Sequence, residues 1–451
     1  MKKIIYTSVI LLAILSSCMV GKKYSRPEMP APAKWEAQNK YINTPDSVSH
    51  LKWFDIFNDT VLNKLIETAL MYNYDLASAA VRIEQARAAY GIAKADLLPS
   101  AGYSAGASLN SHTSNDFNVV ATASWEIDFF GKLRHAKKAA YAEILASEEG
   151  LKAVTTSLIS DVSTYYFLMR DLDNQLEIAQ RSVESRSKYF ELVNARFIGG
   201  DVSELDMLQA DQQLQIAKAT AQSIKRHLHA TERSLNILLG QTPQSIVRGI
   251  DNIDQQVVDV IPAGLPSSLL EQRPDLRQAE YYLEAETERI GVTQAMRFPS
   301  VSLTGFFGLA SSDLSSLVSG DALVANAAAG ILGPIFNFGA NKRRVEIQQK
   351  QAELAANNYY ATWILALSEV ENALVSIETY ASEYEARQKQ AESASRWLML
   401  SQERYNSGYT DYLEVLLAEN AMLDSKLQAS ATRAQQLSSY IYLYRALGGG
   451  W

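Results

Sequence analysis

Residues 117–131 read FNVVATASWEIDFFG, and this stretch decides the fold. Its side chains alternate between apolar and small or polar types, the pattern of a β-strand with one face in apolar surroundings. The apolar set is Phe117, Val119, Ala121, Ala123, Trp125, Ile127 and Phe129. Residues 101–109 also alternate, and the polar stretch 110–116 separates the two. The sequence therefore predicts two strands, 99–109 and 117–129, joined by a turn.

The end of this stretch recurs later in the chain. IDFFG at 127–131 matches IFNFG at 335–339, and RFIGG at 196–200 matches RYNSG at 404–408, both at an offset of 208 residues. LPS at 98–100 matches FPS at 298–300 at an offset of 200. We interpret the chain as a tandem duplication. Its second copy is predicted to hold strands 299–309 and 325–338, the latter only by analogy, because its own alternation is poor.

Each strand pair is followed by a long helical pattern, from about 132 to 196 and from about 341 to 406. Apolar residues in it are spaced by threes and fours, which is typical of a coiled coil. Each long helix is predicted to reverse at a glycine and return as 202–240 or 411–447, with tips near 199–206 and 406–414. Shorter helices are predicted over 59–97 and 273–298. At about 1.5 Å per residue, the long helices would reach ~100 Å, enough to cross much of a periplasm.

Four strands cannot close a pore within one chain. An open sheet edge in lipid leaves backbone groups unpaired, so other copies must complete the sheet. A usable lumen needs about 12 strands and hence at least three chains. The predicted fold class is therefore mainly α with a membrane β-barrel: a duplicated chain whose antiparallel coiled-coil helices form a periplasmic tunnel and whose four strands complete a 12-stranded barrel in a trimer. A soluble β-hairpin on a helical protein is the alternative.

The first residues have the form of a secretory signal. Lys2 and Lys3 precede an apolar stretch of about a dozen residues, too short to span a membrane, which ends in LSSC at 15–18. We predict a signal peptide over 1–17 and lipidation of Cys18, the only cysteine in the sequence, for example by palmitate.

Composition excludes several function classes. The formal net charge of −8 argues against a nucleic-acid partner. His227 and His229 are interpreted as surface residues, since an i, i+2 pair diverges on a helix. The sequence contains no catalytic constellation, metal-spaced cluster or phosphate-binding loop, so neither an enzyme nor a cofactor is predicted.

Basic residues begin both long helices, where cations oppose the helix dipole. We expect a compensating anion there, with outer-membrane lipid phosphate preferred over a merely solvated face. The residues are Lys132, Arg134, Lys137 and Lys138 in the first copy and Lys342, Arg343 and Arg344 in the second.

These motifs, in this order, resemble the TolC-like outer-membrane efflux channels, specifically the lipoprotein (NodT-type) branch that serves resistance-nodulation-division (RND) pumps. The resemblance rests on Cys18, YSRP at 24–27, WEIDFFG at 125–131, RPDLRQAE at 273–280 and FPS at 298–300. It implies a homotrimer in the outer membrane that extends into the periplasm and works with a periplasmic membrane-fusion adaptor and an inner-membrane RND transporter. The chain would be a passive exit duct for small molecules, gated at its periplasmic tip.

The resemblance also implies a domain layout and a set of gate residues. Residues 18–58, 241–272 and 448–451 would lie at an equatorial belt, with the repeats over 59–240 and 273–447. Gly200 and Gly408 would be the tip glycines. Where related chains often have a second aspartate, this one has Leu417, so an acidic ring at the mouth would come from Glu414, Asp411 or Asp206. The predicted gate residues are Gly200, Asp206, Arg404, Tyr405, Gly408, Leu413 and Glu414.

Two other functions are compatible with parts of this pattern. An exit channel of a type I protein secretion system would share the fold, but the lipobox and the RPDL block favour efflux. A periplasmic coiled-coil scaffold or a peripheral enzyme would not need strands between the helices. The exported compound is not encoded in these motifs.

Overall fold

The structure is a computed structural model that describes residues 19–21, 23–30, 32, 35–36, 54, 57, 59–109, 115–255 and 266–449. The predicted signal peptide and Cys18 lie outside these residues. The chain separates into two compact units. The sheet unit comprises Met1–Met29, Ala79–Gly150 and Asp275–Thr362, and the helical unit comprises Pro30–Ser78, Leu151–Pro274 and Trp363–Trp451.

The predicted duplication is confirmed by the order and bounds of the elements. The first copy contains helices α1 (Thr60–Tyr72) and α2 (Tyr74–Ala95), strands β1 (Ser100–Ser108) and β2 (Asp116–Ile127), and helices α3 (Lys132–Gly199) and α4 (Glu204–Leu238). The second contains α5 (Leu269–Gln272), α6 (Pro274–Ala295), β3 (Ser300–Ser311), β4 (Leu323–Leu332), α7 (Ala340–Asn406) and α8 (Tyr412–Ala446). Helices α2 and α6 start 200 residues apart, and α4 and α8 start 208 apart.

Among the described residues, we find no helix with the length and apolarity needed to cross a membrane.

The sheet unit is built on one antiparallel sheet in the order β1-β2-β3-β4, so the two copies meet at its centre. Trp125 of β2 pairs with Leu303 of β3, and Ala121 pairs with Phe307. The apolar residues predicted from alternation therefore share one face across both copies. The described residues leave this face uncovered, since Tyr103 is 90% exposed and Phe307 59% exposed. An exposed apolar face of this kind requires apolar surroundings or a partner.

The prediction of a strand over 325–338 is wrong at both ends. Strand β4 spans Leu323–Leu332, and its last ladder pair joins Leu332 to Ser300. Two residues explain why it stops there. Pro334 has no N–H to donate to a ladder. Gly333 lies so close to Pro299 that a Cβ would be 2.8 Å from the Pro299 Cα, which leaves no room for a side chain. The apolar residues after Leu332 follow the sheet rather than extend it.

A histidine that sequence reasoning did not single out anchors the N-terminal segment within the sheet unit. His135 is buried, with its Nδ1 2.5 Å from Glu288 Oε2 and its Nε2 3.0 Å from the Val20 carbonyl oxygen. Arg26 pairs with Glu280 at 2.6 Å, two turns from Glu288 on α6. Arg26 is thus joined directly to a carboxylate of α6, and Val20 is joined to another one through His135.

A buried carboxylate organises the helical unit where the two copies are connected. Asp59 is 1% exposed and caps α1 by accepting hydrogen bonds from the backbone N–H groups of Val61 and Leu62. It also accepts a 2.6 Å hydrogen bond from the Tyr166 hydroxyl of α3 and a 2.8 Å hydrogen bond from the Gln255 amide of the connection. The Asp59 side chain thereby joins the start of α1, helix α3 and the first part of the connection between the copies, which is described up to residue 255.

A comparison of two glycines tests the packing of the helical unit. Gly240 and Gly408 both have positive φ, at 64° and 78°, but a Cβ at Gly240 would collide with the Tyr72 carbonyl oxygen, whereas at Gly408 it would meet nothing within 4 Å. Gly408→Ala should cost about 1 kcal/mol of backbone strain. Gly240→Ala should cost at least about 3 kcal/mol, because the backbone must also move. Thermal unfolding in detergent, followed by circular dichroism, measures both. Equal costs would contradict the described packing.

Candidate gate at the helix tips

Both long helices end in the same turn. Gly200, with φ of 82°, donates its N–H to the Phe197 carbonyl, and the next residue, Asp201, donates to the Arg196 carbonyl. Gly408, with φ of 78°, donates to the Tyr405 carbonyl in the equivalent place. Glycine is the residue that adopts this conformation without strain, and the paired bonds satisfy carbonyls left free at a helix end. The two predicted tip glycines thus have the turn geometry expected of them.

The helices that return from the two tips begin differently. In the first copy, Asp206 and Ser203 form a capping box: the Asp206 N–H donates to the Ser203 hydroxyl oxygen at 3.2 Å, and the Ser203 N–H donates to the Asp206 carboxylate at 3.1 Å. Asp206 is therefore engaged at the start of its own helix. In the second copy, Asp411 occupies the N-cap position but makes no side-chain capping bond.

Arg404 and Glu414 lie together within the second hairpin. The Arg404 guanidinium is 3.4 Å from the Glu414 carboxylate, and Arg404 is 57% exposed. A 2.6 Å hydrogen bond from the Thr410 hydroxyl holds the pKa of Glu414 below its usual range, with Arg404 contributing in the same direction. Leu413 is half exposed at the same tip. Of the predicted gate residues, these three lie at the second tip together with Tyr405 and Gly408.

Tyr405 joins the two hairpins of one chain. Its hydroxyl oxygen accepts hydrogen bonds from Arg196 at 3.3 Å and from the Tyr189 hydroxyl at 3.4 Å, both on α3. Tyr189 also stacks on Tyr412, the first residue of α8, with ring centroids 4.0 Å apart. Burial raises the pKa values of Tyr189 and Tyr412 well above their usual range, so both stay neutral. Three tyrosines and one arginine thus connect α3 with the turn between α7 and α8.

A buried arginine lies on α3 one turn before Tyr189. Arg186 is 2% exposed and donates to the Gln213 carbonyl of α4 at 2.9 Å and to the Asn420 side chain of α8 at 2.6 Å. Its Nε is 3.7 Å from Glu419 Oε2. Burial raises the pKa of Glu419, and Arg186 opposes this shift. Sequence reasoning missed this cluster, although a charged residue on the apolar side of a heptad pattern was a signal for it.

Residues 65–241 and 265–449 match the family described as outer membrane efflux protein. The chain belongs to the outer membrane efflux protein family. This assignment confirms the predicted outer-membrane efflux channel, in preference to a protein-secretion channel.

Individual relatives agree with the family assignment over nearly the whole chain. The cation efflux system protein CusC of Escherichia coli (strain K12) is 32% identical, with 97% of each chain covered. The probable outer membrane lipoprotein SilC of Salmonella typhimurium is 30% identical with both chains fully covered. The open-state structure of the Neisseria gonorrhoeae MtrE outer membrane channel superposes with a TM-score of 0.85 at 30% identity, covering 96% of this chain and 98% of that one.

Two of the basic residues at the start of α3 in this efflux protein pair with carboxylates of the same chain. Lys132 is 2.5 Å from Glu126, and the Arg134 Nε is 3.1 Å from Asp128. Asp128 also accepts hydrogen bonds from the backbone N–H groups of Leu133 and Arg134. The chain itself thus supplies an anion of the kind that the helix dipole favours, just before the helix. In the second copy, Arg343 pairs with Glu346 at 2.5 Å.

A second buried polar cluster lies further along α3. Asp171 is 3% exposed and accepts a 2.5 Å hydrogen bond from the Ser430 hydroxyl of α8 and a 2.8 Å hydrogen bond from Gln175. Burial raises the pKa of Asp171 above its usual range, and the two hydrogen bonds only partly oppose it. The folded efflux protein therefore holds a proton on Asp171 at pH values where the unfolded chain has lost it.

This pKa shift predicts how stability depends on pH. Because the folded-state pKa is raised, the contribution of protonated Asp171 is complete below the unfolded-state pKa and is lost as pH rises through the folded-state pKa. Asp171→Asn, which cannot ionise, should be more stable than wild type by about 1 kcal/mol near pH ~8 and equal to it near pH ~3.5.

Thermal unfolding at the two pH values measures this difference. Asp173→Asn is the matched control. Its carboxylate pairs with Arg170 at 3.0 Å and Arg248 at 2.9 Å, so its loss should destabilise the protein near pH ~8. A destabilised Asp171→Asn variant near pH ~8 would contradict the prediction.

Proposed function

We propose that this chain is the outer-membrane exit duct of a tripartite efflux pump, acting as a lipid-anchored homotrimer with a periplasmic adaptor and an inner-membrane RND transporter. The observation that carries the proposal is the family match, which extends over both copies and includes the strands and both helix tips. The small molecules exported would be selected by the transporter, and the duct would gate their exit at its tips.

The sheet supports the trimer. Strands β1 and β4 are its edges, and no further strand of the described residues lies beside either of them. An unpaired edge with an apolar face on one side is unstable both in water and in lipid. Three copies would close a sheet of about 12 strands, wide enough for a lumen.

Two kinds of observation support a lipid anchor at Cys18. Residues 15–18 have the form of a lipobox, and the relative SilC is named as an outer membrane lipoprotein. The nearest described residues are also fixed, since Val20 donates its N–H to the Phe130 carbonyl at 3.2 Å, just after strand β2. A lipid on Cys18 would therefore be attached close to the end of the sheet.

The contacts of Tyr405 support a gate at the tips. They connect the second hairpin to α3 at the tip end, and they consist of two long hydrogen bonds and an edge-on ring contact with Tyr189. Such contacts are weak enough for a docking partner to break. Arg404, Asp206, Leu413 and Glu414 belong to the proposal as tip residues that would face neighbouring chains, and Gly200 and Gly408 as the turns that carry them.

Replacement of the anchor residue tests the assembly. Cys18→Ser should abolish incorporation of a radioactive fatty acid and leave the trimer intact, because the sheet provides its own hold in the membrane. Native mass spectrometry in detergent measures the trimer, with wild type as the control. Label that persists in the variant would refute lipidation at Cys18, and monomers alone in both proteins would refute the trimer.

Removal of one hydroxyl tests the gate. Tyr405→Phe loses the hydrogen bonds from Arg196 and Tyr189 but keeps the ring contacts. The lost hydrogen bonds should contribute about 0.5–1 kcal/mol in each chain. In a trimer their loss would destabilise the closed state by ~1.5–3 kcal/mol and raise the open fraction at least about tenfold. Single-channel recording in planar bilayers measures the open fraction. Tyr409→Phe is the control, because Tyr409 lies in the same turn and is 77% exposed. An unchanged open fraction in assembled Tyr405→Phe trimers would place the gate elsewhere.

A further inference from the structure

The Arg186 cluster contains an ion pair that is nearly but not fully formed. Arg186 Nε and Glu419 Oε2 are both buried, and neither makes a hydrogen bond to any described residue. They face each other at 3.7 Å, which is too long for a charge-assisted hydrogen bond and too short for a bridging water. A relative shift of about 0.8 Å would bring them to the usual ~2.9 Å.

Side-chain rotation alone does not close this gap, because both groups are held at their other atoms. The guanidinium donates to Gln213 and Asn420, and Glu419 Oε1 accepts a 3.2 Å hydrogen bond from the Ser185 hydroxyl. Arg186 belongs to α3 and Glu419 to α8, so a shift of these helices past one another would change the distance between the two groups. Shifts of about 1 Å between packed helices are common in conformational switching.

Helices α3 and α8 are also joined at the tip. Tyr412 lies one heptad before Glu419 on α8, and Tyr189 lies one turn after Arg186 on α3. Their stacking at 4.0 Å, continued by the contacts of Tyr405, fixes the start of α8 against α3. The same two helices are thus joined at the tip and at the Arg186 cluster, where Arg186 Nε and Glu419 Oε2 are the atoms that have no hydrogen bond.

The duplication shows that this pair is specific to one copy. At the offset of 208 residues, Arg186 corresponds to Ala394 and Glu419 corresponds to Asp211. Ala394 is buried, as Arg186 is, but has no charge to offer. Asp211 accepts a hydrogen bond from Gln215 within its own helix. The chain has a buried arginine at this position of the seam in the first copy only.

We propose that Arg186 and Glu419 form a second resting position for α8, an ion pair that closes when the tip contacts of Tyr405 and Tyr412 are released and that stabilises the conducting arrangement. This inference rests on the proposed tip gate. It assigns opposite effects to two neighbouring contacts: the tyrosines favour the closed tip, and the ion pair favours the released one. The tyrosine contacts would be complete only with the tip closed, and the ion pair only with the tip released. Helix α8 would therefore have two positions relative to α3.

The raised pKa of Glu419 supports this assignment. Burial disfavours the charged carboxylate in the present arrangement, in which one of its oxygens has no donor. Closure of the pair would supply that donor. Replacement of Glu419 by glutamine should therefore leave the resting assembly at least as stable as wild type, because burial there disfavours the carboxylate charge more than Arg186 favours it, and glutamine carries no charge. If Glu419 had only a structural role, the glutamine variant would be less stable than wild type.

The test is single-channel recording of the full-length trimer in planar bilayers. Glu419→Gln should lower the open probability at least about fivefold, while the thermal midpoint of the trimer stays equal or rises. Asp211→Asn is the matched control, since it makes the same carboxylate-to-amide change at the equivalent position of the other copy, and it should leave the open probability unchanged. If Glu419→Gln does not assemble, Glu419→Asp keeps the charge but falls short of Arg186, and it should lower the open probability as well.

The outcomes separate this inference from the gate itself. If Tyr405→Phe opens the channel but both Glu419 variants open as often as wild type or more often, the ion pair has no role and only this inference fails. If Tyr405→Phe leaves the open fraction unchanged, the proposed gate fails. A thermal midpoint that falls together with the open probability in Glu419→Gln would show a structural contact and overturn the inference.

Discussion

The two edge strands of the sheet impose the constraint on which the rest of the molecule depends. Strands β1 and β4 each carry a row of backbone N–H and C=O groups on a side where the described residues place no strand. The apolar face shared by β2 and β3 makes exposure of such an edge to water more costly, and lipid offers it no hydrogen bonds. Helix α3 begins five residues after β2 ends, so the pairing of the strands also determines where the long helices start.

Much of this fold could be predicted from the sequence because it depends on local periodicity. The alternation in 117–127 predicted β2, and the repeated motifs predicted the order of the second copy. Glycines at 200 and 408 predicted the two turns, since their positive φ values are a property of the residue itself. Strand β4 ended earlier than the analogy suggested because Pro334 has no counterpart in the first copy, where Glu126 occupies the matching position.

The contacts of charged residues could not be predicted in this way, because they depend on which helices become neighbours in the fold. Glu126 and Asp128 stood inside the stretch that predicted β2, yet their pairing with Lys132 and Arg134 depends on the sharp turn between strand and helix. Arg186 and Asp171 are buried by helices more than 200 residues away in the sequence. His135 was one of five scattered histidines until the fold placed it between Glu288 and Val20.

The unequal starts of the two returning helices have a mechanical consequence. Helix α4 begins with a full capping box, whereas α8 begins at an aspartate that bonds to none of the free amides of its first turn. A helix end without side-chain capping unwinds at lower cost, by about 1 kcal/mol. The start of α8 should therefore unwind more easily than the start of α4. The two copies have the same order of elements but differ in the stability of one helix end.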